Sequence, residues 1–111
     1  MTRQLSFALA AATLMLAPTT AFGQDAAKGQ EVYTAQKCSL CHAVAGKGNA
    51  KGPLDGVASK YKADELREWV VNAKEMSTKH NATRKPAMKD FSSLPKADVD
   101  NLVAYLQTLK K

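Results

Sequence analysis

The chain has 111 residues, enough for one small domain. Hydrophobic residues make up 45% and charged residues 23%, which excludes a disordered chain, collagen and a coiled coil. The formal charge is +6, and the two cysteines, Cys38 and Cys41, are too close in sequence to staple a secreted disulfide scaffold.

Arg3 precedes an apolar run from Leu5 to Ala17, which Pro18, Thr19 and Thr20 end before Ala21-Phe22-Gly23. A helix needs about 20 apolar residues to cross a bilayer, so this shorter run reads as a signal peptide. Small residues at Ala21 and Gly23 place cleavage after Gly23. The expected division is a leader over 1–23 and a mature domain over 24–111, exported to the periplasm and without a transmembrane segment. So small a domain has a lean core, and its few large rings hint that something besides side chains fills its middle.

Three helical patterns follow, and no alternating apolar run argues for a strand, so the expected fold class is all-α. The first pattern runs from an Asp25 N-cap to about Lys37, with Gly29, Val32, Tyr33 and Gln36 on one face. A glycine inside a helix costs about 1 kcal/mol against alanine, so Gly29 points to close approach by another helix. The stretch Ala43 to Tyr61, holding Gly46, Gly48, Gly52, Pro53 and Gly56, reads as a loop. The second pattern covers roughly Lys62 to Glu75, with Leu66, Trp69, Val70 and Ala73 at helical spacing, while Asp64, Arg67 and Glu68 read as solvated surface. A polar, basic connection from Met76 to Leu94 contains Pro86 and Met88, and a loop this long in a small domain is usually functional. The third pattern runs from about Pro95 to Lys110, with Val99, Leu102, Tyr105, Leu106 and Leu109 on one face. Asp98 and Asp100 sit near the positive end of its dipole, and Lys110 and Lys111 near the negative end.

The chemistry lies in Cys38-Ser39-Leu40-Cys41-His42, which fits Cys-x-x-Cys-His, the attachment signature of c-type haem. Two cysteines three apart can form thioethers with the two vinyl groups on one porphyrin edge, and the adjacent histidine then meets the iron. A redox dithiol would need a strand-to-helix setting, and a zinc site would need a second ligand pair where the chain offers only His80. A basic charge also suits nucleic acid, but no recognition motif accompanies it.

On these residues the chain is similar to the small, single-haem class I cytochromes c. The likeness runs from the first helix through the Cys38–His42 motif and Gly52-Pro53-Leu54 to Met88 and Leu102-Val103-Ala104-Tyr105-Leu106. It implies terminal helices that cross with Gly29 against Tyr105, one covalently bound haem c with its iron, and a Pro53 carbonyl that accepts from the free ring nitrogen of His42. Met76, Met88 and His80 are candidates for the sixth ligand. Met88 is chosen because it follows Pro86 in a polar loop shortly before the last helix, where the family places its axial methionine. Met76 is expected to pack over the haem edge. Trp69, and less so Tyr61, are expected to donate to haem propionates.

The resulting expectation is a monomeric electron carrier, with no catalytic residues, in which Cys38, Cys41, His42 and Met88 bind one haem. Lys47, Lys51, Lys85 and Lys89 would ring its exposed edge and steer a redox partner with an acidic docking face. The alternatives are a haem subunit or docking module of a larger dehydrogenase or oxidase, and a peroxidase-like or gas-sensing protein with an open sixth site.

Overall fold

The computed structural model describes residues 25–111; the expected leader lies outside them. Five α-helices carry the fold: α1 (Ala26–Ala35), α2 (Val57–Lys60), α3 (Ala63–Val71), α4 (Ala73–Lys79) and α5 (Lys96–Gln107). The all-α expectation holds, apart from two short strands noted below.

Helix α1 starts where expected, because the Asp25 carboxylate accepts from the amides of Ala27 and Lys28 at 2.9 and 3.1 Å. It ends before Lys37, which adopts a left-handed φ of 57° and turns the chain into a 3-10 turn over Cys38–Leu40. Helix α1 packs on α5. Gly29 meets Asn101 and Tyr105 there, and the rings of Tyr33 and Tyr105 lie 5.5 Å apart. The Asp25 amide donates to Asn101 Oδ1 at 3.0 Å, tying the start of α1 to the same helix. Leu66 and Val70 of α3 join Val99, Leu102 and Leu106 of α5 in the buried core. Burying each such side chain contributes about 1.5–3 kcal/mol.

The loop after the cysteine motif contains antiparallel strands β1 (Ala43–Val44) and β2 (Lys47–Gly48), which the sequence reading did not foresee. Ala45 and Gly46 both have positive φ, 51° and 79°, as a two-residue hairpin turn requires. The strands are too short to show alternation.

The single second helix is corrected to two. Asn72 breaks it, with φ −126° and ψ 45°, serving as the C-cap of α3 and the N-cap of α4. Its side-chain amide donates to Glu68 Oε2 at 2.7 Å, a local alternative to continuing the helix, and the preceding Val70-Val71 pair weakens helical preference. The break lets α4 bury Ala73 and Met76. The connection expected from Met76 therefore begins as helix and becomes irregular only after Lys79.

Asp100 and Arg67 are the other corrections. Asp100 is 8% exposed, accepts from Lys96 Nζ at 2.7 Å and pairs with the Arg67 guanidinium, joining α3 to α5. Arg67 is thus partly drawn into a contact rather than wholly solvated.

Candidate haem-binding site

The Cys38–Leu40 turn sets the motif. The amides of Cys41 and His42 both donate to the Cys38 carbonyl, at 3.1 and 2.9 Å, so the two cysteines and the histidine leave one tight turn together. All three line a cavity of about 840 Å³ walled mainly by apolar side chains, including Leu54, Val57, Leu66, Phe91 and Leu102. Cys38 and Cys41 are half-buried and not joined to each other. Burial pushes the Cys38 thiol above its ordinary pKa, so it is held protonated.

His42 is held by the chain's next turn. Its Nδ1 lies 3.1 Å from the Gly52 carbonyl, which also accepts the Ala43 amide at 3.0 Å. This corrects the expectation for Pro53: its neighbour's carbonyl takes both donors, while Pro53 is aligned beside Ala43 in an isolated bridge. With Nδ1 engaged, Nε2 is the ring nitrogen left for a metal. Burial, opposed by the Gly52 hydrogen bond and reinforced by the Arg84 charge, holds the imidazole pKa below its ordinary value. The ring is therefore neutral at pH 7, as a metal ligand must be.

The three sixth-ligand candidates occupy different places. Met88 lines the same cavity as His42, reaching it from the irregular segment between α4 and α5. Met76 is buried in α4 but does not line that cavity. His80 is exposed at the end of α4, its ring 5.3 Å from that of Trp69 and edge-on to Tyr61 at 5.9 Å.

Two buried polar atoms among the described residues lack a partner, Trp69 Nε1 and the Tyr33 hydroxyl, and both residues line the cavity. Such an unpartnered buried group costs about 1–3 kcal/mol. Burial is the main cause that pushes the Tyr33 phenol up to about 12, so it is a donor at any ordinary pH. A large planar ligand with acidic edges, held by two thiols and an imidazole, fits these walls and donors.

Lys51 and Lys89 line the cavity as well, as do Lys37 and Lys60, whereas Lys47 and Lys85 are exposed and not among its lining residues. Leu40, between the two cysteines, is 69% exposed and sits on the same rim. The sequence reading missed the Tyr33 hydroxyl and Arg84. A tyrosine at a core position where phenylalanine would fill the same space was the available signal for the first; nothing local marked the second.

The family model for cytochrome c matches residues 26–110, nearly every residue described above. The chain belongs to the cytochrome c family. It therefore carries covalently attached haem c with iron, and its family role is haem-based electron transfer. A comparison with curated proteins gave no match. No described helix is long and apolar enough to cross a membrane.

Proposed function

We propose that this chain is an exported, periplasmic electron carrier in which Cys38 and Cys41 anchor the haem and His42 and Met88 ligate its iron. Met88 carries the reading: of the three candidates it alone is among the residues lining the cavity with His42. The haem supplies one-electron exchange between ferric and ferrous iron. The Met88 thioether favours the ferrous state, and the apolar walls disfavour the extra charge of the ferric one, so both raise the reduction potential. The Gly52 carbonyl orients the His42 ring and strengthens it as a donor. Trp69 Nε1, buried without a partner among the described residues, would donate to a propionate.

The docking face is the cavity rim, with Leu40 as an apolar centre and Lys37, Lys51 and Lys89 around it. This arrangement favours a redox partner with an acidic surface. Export through a leader over residues 1–23 completes the reading, since the Leu5–Ala17 run is too short to serve as an anchor.

Carbon monoxide binding to the reduced, haem-loaded protein tests the carrier role. A carrier with its sixth position held by the chain binds it slowly and weakly. Rapid, tight binding would assign the protein to ligand sensing or peroxide chemistry.

A further inference from the structure

The segment that carries Met88 is tied at its ends and not between them. The Ala82 amide donates to the Ser77 carbonyl at 2.8 Å. Beyond Met88, the Lys74 amide donates to Asp90 Oδ1 and the Phe91 amide to the Val70 carbonyl, each at 2.9 Å. From 83 to 89 the described structure records no hydrogen bond, and every residue there except Met88 is exposed. Such a stretch opens readily on its own, because little has to be broken for it to move.

Arg84 is the exception within it. Its guanidinium rests on Gly52, in the wall that holds His42: a β-carbon on Gly52 would fall on Nη1 and lie 2.9 Å from Cζ. The absence of a side chain at Gly52 thus makes a seat for the guanidinium. Arg84 has no carboxylate partner among the described residues, so no ion pair accounts for where it lies. Gly52 is also doubly anchored, its carbonyl accepting from both His42 and Ala43.

We propose that Arg84 is a positioning residue that straps the Met88 segment onto the Gly52 seat, so that the two stretches supplying the iron's ligands are fixed to each other. In its role toward Met88 the proposal rests on the assignment of Met88 as ligand. The strap itself is a property of the 83–89 segment. The approach to Gly52 is by one terminal nitrogen, Nη1, whose position is fixed by the rigid guanidinium, whereas a lysine ammonium at the end of a flexible stem keeps the charge without that fixed geometry.

The test uses the haem-loaded protein, with free imidazole as the probe of the ferric sixth site and hydrogen exchange of the Ala82 and Phe91 amides, whose hydrogen bonds tie down the two ends of the segment, as a second readout. Arg84→Ala is expected to bind imidazole about threefold to tenfold faster and to exchange these amides faster by a similar factor, as the loss of one modest tertiary contact would give. Arg84→Lys should resemble Arg84→Ala, and Lys85→Ala, at the exposed neighbouring position, should match the wild type. Unchanged exchange in Arg84→Ala, or equal loosening by Lys85→Ala, would overturn the strap. If the oxidised wild type lacks the sulfur-to-iron charge-transfer band, the Met88 assignment fails instead, and exchange of the Ala82 and Phe91 amides still decides the strap.

Discussion

Gly29 lies so close to Asn101 that a β-carbon on it would overlap the Asn101 carbonyl oxygen and come within 2.7 Å of the Tyr105 β-carbon. The obstacle is mostly backbone and cannot swing aside. Gly29→Ala is therefore expected to destabilise the haem-loaded protein by about 2–3 kcal/mol, despite alanine's better helical preference. Denaturant unfolding followed by circular dichroism measures it; a stability equal to or above wild type would show that α1 and α5 part without cost.

Asp100 joins α3 to α5, and hydrogen bonds from Lys96 and then Arg67 hold its carboxyl below the usual carboxylate range. A group whose folded pKa is depressed adds stability above its unfolded pKa and loses it as pH falls through the folded value. Asp100→Asn should thus cost about 1–2 kcal/mol at pH 7, with the gap to wild type closing below about pH 4. Thermal unfolding across that range reads both, and a gap independent of pH would contradict the ionic account.

Trp69 Nε1 is buried without a partner among the described residues, and the proposed function gives it a haem propionate as acceptor. Trp69→Phe removes a hydrogen bond to the charged form of that acid and so raises its pKa. The pH at which the reduction potential begins to vary should move upward in the variant, as spectroelectrochemical titration would measure. An unmoved profile would leave Trp69 as core packing alone.

Leu40 and the rim lysines predict two separable effects on electron transfer to an acidic partner. Lys51→Glu with Lys89→Glu should slow association about tenfold at low salt and converge on wild type at high salt. Leu40→Ser should weaken transfer at every salt concentration, because apolar contact is not screened. Stopped-flow rates over a salt series distinguish them, and a double-lysine variant with the wild-type salt slope would remove the steering role.

Much of this was readable from residue order. Asp25, Gly29 and the apolar face of Val99, Leu102 and Leu106 marked α1 and α5, because capping and helical spacing are local signals. The Cys38–His42 motif marked the attachment turn for the same reason. Asn72 carried a weak signal for the α3–α4 break, outweighed by apolar spacing that continues to Ala73 and Met76. Asp100 looked like a dipole charge because the partner that draws it inward, Arg67, lies a helix away. The Gly52 carbonyl replaced that of Pro53 through a register set by the Ala43 hydrogen bond, a long-range pairing that spacing does not encode. Arg84 on Gly52 is a contact of the same kind.

The assignment of Met88 is tested most directly by the optical spectrum of the oxidised, haem-loaded protein beside its Met88→Ala and Met76→Ala variants. The account predicts a low-spin wild type with a sulfur-to-ferric-iron charge-transfer band, retained in Met76→Ala and lost in Met88→Ala. A band that survives in Met88→Ala, or a high-spin wild type, would contradict it.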